Sequence, residues 1–197
     1  MEKKEKTEHL YLTGFMGSGK STIGKNLAKK LGIPFIDTDN IIEMKKGIEI
    51  SEIFEHKGEK WFRDYEENTL ENIINSSDRL VISLGGGSLM SEKNLKRVLS
   101  TGKLIYIKSS PDQIWKRIRH STRRPLLRQK GVAWTRERYI QRINELMKAR
   151  ESGYYSAHLI IDRDGKEVDE VVAQLLLQLS ELVTIENTAI SDIRKNK

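Results

Sequence analysis

The residues Gly14-Phe-Met-Gly-Ser-Gly19-Lys20-Ser21 space two glycines, a lysine and a hydroxyl as a phosphate-binding loop requires. Glycines let the backbone turn its N–H groups inward around phosphate oxygens, and a following helix adds its positive N-terminal end. In such a loop Lys20 reaches the β- and γ-phosphates, and the Ser21 hydroxyl is a magnesium ligand. A nucleoside triphosphate is therefore expected; turnover is not, because the same loop serves switches and motors. Sixteen residues on from Ser21, Asp37-Thr38-Asp39 supplies two carboxylates. One of them can hold Mg²⁺ through water, and another can accept a proton from an attacking hydroxyl. Asp39 is equally well read as an N-cap. Arg63 lies three and four residues before Glu66 and Glu67, a spacing that also describes a surface ion pair. Gly85-Gly86-Gly87 permits close approach of backbone to a ligand, or simply a flexible turn.

These groups need elements to position them. Residues 9–13 form a short β-type run leading into the glycine loop, and apolar residues at 23, 27, 28 and 31 mark an amphipathic helix that Gly32 can stop. Residues 33–36 predict a second strand, which gives one βαβ unit with its two strands paired in parallel. Alternation along the end of that strand points Asp37 and Asp39 to the same side. Helices are expected over about 40–46, 51–56, 59–74, 92–99, 136–150 and 168–182, with another starting near Pro111. Strands are expected at 80–84, 104–107 and 158–161. Alternating strands and helices predict one α/β domain, three-layered (αβα) around a central parallel sheet. In an open sheet of this kind ligands gather at the carboxyl ends of the strands, which is where all these motifs fall. Residues 1–8 read as a disordered N-terminus, 9–183 as the domain, 120–134 as a mobile loop without periodicity, and 184–197 as a C-terminal tail.

The chain has 197 residues, no cysteine and a formal net charge of +7. No apolar run is long enough to span a membrane, and the charged N-terminus lacks the apolar stretch of a signal peptide. Absence of cysteine excludes disulfides, thiolate metal sites and cysteine nucleophiles, and is compatible with a reducing cytoplasm. The basic excess concentrates at Arg117, Arg119, Arg123, Arg124 and Arg128, beside His120. One arginine-dense segment with few aromatics suits a compact phosphate site better than a nucleic-acid track.

Taken together, GFMGSGKST, DTD, FRDYEE, SLGGG, RRPLL and a basic helix ending in Arg150 resemble the shikimate kinases over about residues 10–180. The resemblance implies a P-loop kinase fold of the nucleoside-monophosphate-kinase type, with a helical substrate-binding region over about 40–74 and a mobile lid over about 120–134. It implies transfer of the γ-phosphate of ATP to the 3-hydroxyl of shikimate, a step towards chorismate and the aromatic amino acids. It also carries roles. Gly17, Ser18, Gly19, Lys20, Ser21 and Thr22 would hold the ATP phosphates, with Mg²⁺ on Ser21 and, through water, Asp37. Asp39 would bind shikimate hydroxyls and act as base. Arg63 and Arg150 would grip the shikimate carboxylate, with the Gly86 backbone on the ring hydroxyls. Arg124 would reach the phosphates from the lid, and Arg117 would stack near the adenine. Phe54 and Phe62 match pocket-lining aromatics, but read as well as core. The expected partners are ATP and shikimate, with no nucleic acid or membrane, in a cytoplasmic monomer. One departure concerns Arg150: the family's usual Arg-x-Pro-Leu-Tyr is Arg150-Glu-Ser-Gly-Tyr154 here, and loss of the proline is expected to loosen that turn. The adenine loop near Arg163–Lys166 varies too. A gluconate or nucleoside-monophosphate kinase, and a non-catalytic nucleotide-binding protein, are the alternatives.

Overall fold

In the computed structural model residues 8–119 and 135–195 are described, with side chains to residue 182. Strands β1 (His9–Thr13), β2 (Phe35–Asp37), β3 (Val81–Ser83), β4 (Gly102–Lys108) and β5 (Leu159–Asp162) form one all-parallel sheet in the order β2-β3-β1-β4-β5. Every residue of β1 and β3 is buried, as expected of parallel strands covered on both faces. Period-two alternation splits the core. Leu10 and Leu12 face α1 (Lys20–Leu31) and α8 (Val168–Lys195), packing with Ile23, Leu27, Val171 and Leu175. Tyr11 faces the other way, with Leu70 of α3 (Ile50–Ile74) and Val98 of α4 (Glu92–Thr101). The three-layer arrangement is thus present.

The strand pairing differs from the sequence expectation. β1 and β2 are not neighbours; β3 lies between them and pairs with both. The physical reason is burial: β3 is apolar enough to need cover on both faces and takes a central place, while β2 is only half-buried and takes the edge. The consequence is functional, because the glycine turn after β3 now emerges between the P-loop and the acidic pair.

Other elements sharpen the reading. Gly32 ends α1 in the left-handed region at φ 67°. The two helices expected over 51–56 and 59–74 are both present, the two halves of α3, separated by a kink at Gly58, whose φ 81° and ψ 167° are not helical. Pro111 opens α5 (Pro111–Ile118), capped by Ser110. The helix expected over 136–150 is α6 (Arg136–Lys148), and a short helix that was not expected, α7 (Glu151–Tyr155), follows it. Arg150 has φ −111° and ψ 0° and stands at the N-terminus of α7. Helix α8, expected to stop at 182, continues to Lys195, so the helix runs on into the residues expected as a C-terminal tail. Among the described residues no helix is long and apolar enough to cross a membrane. The lid segment 120–134, with Arg123 and Arg124, lies outside the described residues.

Candidate active site at the carboxyl edge of the sheet

Parallel pairing aligns the carboxyl ends of β2, β3 and β1, with Asp37 beside Ser83 and Ser83 beside Leu12. Three loops leave that edge together, and a cavity of about 370 Å³ opens between them. Its volume is that of a small-molecule site.

The P-loop forms one wall. Gly17 and Gly19 have φ of 80° and 99°, which a side chain would strain, and Gly19 caps α1 so that the helix N-terminus points into the loop. Lys20 is largely buried, and its Nζ donates to the carbonyls of Gly14 at 2.8 Å and Phe15 at 3.2 Å. That holds the ammonium over the loop. The Ser21 hydroxyl donates to Asp37 Oδ2 at 2.6 Å. A hydroxyl and a carboxylate set side by side are hard oxygen donors, and no cluster of three acidic or histidine side chains is found among the described residues. This donor set suits Mg²⁺, which is held by one or two protein oxygens together with the phosphates it bridges.

The acidic pair is arranged differently from the strand-alternation expectation. β2 stops at Asp37, and Thr38 already begins α2 (Thr38–Lys46). Asp37 is the N-cap, accepting from the N–H of Asp39 at 3.1 Å and of Asn40 at 3.4 Å. Capping therefore belongs to Asp37, and Asp39 sits in the first helical turn. Both still line the cavity. The Thr38 hydroxyl accepts from Gly85 N–H at 3.0 Å, tying this turn to the glycine loop.

The glycine loop is the floor. A Cβ on Gly85 would meet Glu66 Oε1 and lie 2.8 Å from Asp39 Oδ1; one on Gly87 would lie 2.6 Å from Arg63 Nη2. One on Gly86 would lie 3.5 Å from Arg150 Nη1. The absent side chains are thus the space in which the acid and both arginines converge.

Arg63 is no surface pair. Its Nη1 donates to Glu66 at 2.8 Å and its Nη2 to Glu59 at 3.2 Å, and Glu66 is only 2% exposed. Glu66 also accepts from the Ser88 hydroxyl. Burial lowers the Arg63 pKa, but the Glu66 and Glu59 carboxylates outweigh it and raise the value above the usual range. Arg150, 5% exposed, lies over the Phe15 ring at 5.4 Å, and its buried Nη1 has no hydrogen-bond partner among the described residues. A buried guanidinium donor facing a cavity is arranged for an anion from outside.

Of the residues expected at the site, Gly17, Gly19, Lys20, Ser21, Thr22, Asp37, Asp39, Arg63, Gly86 and Arg150 line the one cavity, and so do Phe54 and Phe62. Phe62 is also a core residue, packed with Ile42 and Ile53, so its two readings coexist. The Ser18 side chain is buried away from the cavity. Arg117 is near the loop rather than in the cavity: its Nη1 donates to Ser109 at 3.0 Å and Gly17 O at 3.3 Å. Burial, then the Arg163 charge, lowers its pKa from the usual value. Reasoning from sequence passed over Glu66 as a cavity residue, and Tyr154, whose hydroxyl donates to Gly86 O at 2.6 Å. The signal available for Glu66 was its i,i+3 spacing from Arg63; for Tyr154 it was the match to the final tyrosine of Arg-x-Pro-Leu-Tyr, which gave no partner for the hydroxyl.

A family model described as shikimate kinase matches residues 16–180. A shikimate kinase of Chlorobaculum tepidum is 47% identical over 167 residues, covering 84% of this chain and 87% of that protein. Among solved structures, a shikimate kinase from Acinetobacter baumannii in complex with shikimate superposes with a TM-score of 0.81 at 31% identity, over 90% of this chain and 96% of that one. A gluconokinase from Sinorhizobium meliloti, 21% identical with a TM-score of 0.55 over 94% of this chain and 98% of its own, shares the fold.

Proposed function

The chain belongs to the shikimate kinase family, and from that membership we infer that it transfers the γ-phosphate of ATP to the 3-hydroxyl of shikimate, giving shikimate 3-phosphate and ADP. One observation supports this above the rest: a single cavity joins the P-loop Lys20 to Asp39 and to two guanidiniums, Arg63 and Arg150. A nucleotide-binding module has no use for a carboxylate and two arginines facing its phosphate loop. An anionic polyol has a use for each.

Phosphoryl transfer depends on alignment and charge neutralisation more than on covalent help from the protein. Lys20 and the N-terminus of α1 carry positive charge to the donor side. Ser21 and Asp37 are the residues that would hold Mg²⁺ with the nucleotide; the ion would offset phosphate charge. On the acceptor side Arg63 and Arg150 would take the carboxylate by charge-assisted hydrogen bonds, with Glu66 keeping Arg63 extended. Asp39 would then accept the proton of the 3-hydroxyl as its oxygen bonds to phosphorus and the bond from phosphorus to the β-phosphate oxygen breaks, releasing ADP. Arg124, Arg117 and the segment 120–134 complete this reading as lid arginine, adenine-side arginine and lid. A soluble monomer acting in the cytoplasm on these two small molecules is the setting we assign.

The test is ADP release by the purified protein with MgATP and, in separate reactions, shikimate, gluconate or a nucleoside monophosphate. Shikimate-dependent release is expected. Its absence, or a better rate with either competitor, would overturn the reading.

A further inference from the structure

The glycine loop has no side chains by which to anchor itself, so its carbonyls show what holds it. Gly85 O accepts from Ser88 N–H at 3.1 Å and Gly87 O from Met90 N–H at 3.0 Å, both within the loop's own 3₁₀ turn (Ser88–Met90). Gly86 O is held from elsewhere, by the Tyr154 hydroxyl of α7 at 2.6 Å. Tyr154 is 2% exposed and stacks on Tyr106 of β4, the ring centroids 4.9 Å apart, so its hydroxyl is aimed from a rigid base. Burial pushes that hydroxyl up to about 12, with Arg150 pulling the other way; it is therefore protonated, and a donor, at any working pH. The approach of α7 is close. A Cβ on Gly153 would lie 2.9 Å from Leu89 Cβ and 3.0 Å from Leu89 O, so only glycine seats the helix this tightly on the 3₁₀ turn.

We propose that Tyr154 is a positioning residue for the acceptor: its hydroxyl fixes the peptide plane after Gly86, and so holds the glycine floor and Arg150, four residues before it, as one binding edge. The turn after Arg150 is docked at two points, Gly153 on Leu89 and Tyr154 on Gly86. The inference rests on the functional reading given above, in which the Gly86 backbone and Arg150 meet shikimate.

Tyr154→Phe removes the hydroxyl and leaves the ring stacked. It should raise KM for shikimate about five- to thirtyfold while KM for ATP moves less than about twofold, and calorimetric titration with shikimate should weaken in parallel. Gly153→Ala, which pushes α7 from the 3₁₀ turn by other means, should shift the same constant in the same direction. If Tyr154→Phe does not fold, Gly153→Ala decides the matter alone. An unmoved shikimate constant, or shikimate and ATP constants rising together as a general loosening would cause, overturns the proposal. Failure here is distinct from failure of the functional reading: in the latter the parent protein itself shows no shikimate-dependent ADP release.

Discussion

Asp39 and Arg150 carry the sharpest tests at the scale of single residues. Asp39 reaches the cavity from the first turn of α2, where the backbone N–H of that turn is already capped by Asp37. Capping of that turn thus falls to Asp37 and not to the Asp39 carboxylate. Asp39→Asn keeps the shape and removes the base; kcat should fall on the order of a hundredfold or more, while ATP binding by titration is retained. A rate within about tenfold of the parent would end the case for Asp39 as base. Arg150→Ala removes a buried Nη1 donor that has no hydrogen-bond partner among the described residues, so its loss should be felt by the acceptor and little by the nucleotide. KM for shikimate is expected to rise roughly ten- to hundredfold, and steady-state kinetics with each substrate varied in turn will show whether the ATP constant stays put. Both residues were visible in the sequence by type and order. Glu66 was not: an Arg–Glu spacing of three looks the same on a solvated helix face as in a cavity wall, and only burial tells them apart.

At the scale of elements, Gly58 is where local strain can be measured. Helix α3 runs from Ile50 to Ile74, and its two halves carry different parts of the site: Phe54 before the bend, Phe62, Arg63 and Glu66 after it. The bend is at Gly58, with φ 81° and ψ 167°, a region open in practice to glycine alone. Nothing lies within 4 Å of a Cβ built there, so an alanine would meet no clash and its cost would be purely conformational. Gly58→Ala should destabilise by about 1–3 kcal/mol in urea unfolding. A loss below about 0.5 kcal/mol would mean that the bend straightens freely, and the shikimate constant should then change instead. Periodicity foretold the two half-helices on either side of Gly58. It foretold nothing of the break at 149–150, because residues 136–155 contain no proline and their one glycine lies beyond the break.

For the whole molecule the expectation concerns linkage. Ligands that bind only the folded chain stabilise it by mass action, by about 2.7 kcal/mol at a hundred times their dissociation constant. For a chain of this length that is a rise in Tm of roughly 5–10 °C with saturating MgATP, followed by thermal unfolding. EDTA added in excess should take back most of the rise if Ser21 and Asp37 act with a magnesium ion; a shift indifferent to EDTA would strike those two residues from the metal's surroundings. The sheet that makes this one molecule was legible in outline: near-continuous apolar runs separated by helical periodicity specify parallel strands with helices on both faces. Motif spacing specified the chemistry, since a phosphate loop, a strand-end acid and a glycine turn are each defined by neighbours in the chain. Tertiary structure alone decided the order β2-β3-β1, and with it that the glycine turn lies between the P-loop and the acidic pair. It also decided that Glu66 is buried under Arg63 and that Tyr154 crosses 68 residues of chain to hold Gly86. The reason is physical. Backbone conformation answers to adjacent residues, whereas burial and contact across the chain answer to which strands compete for the centre of the sheet.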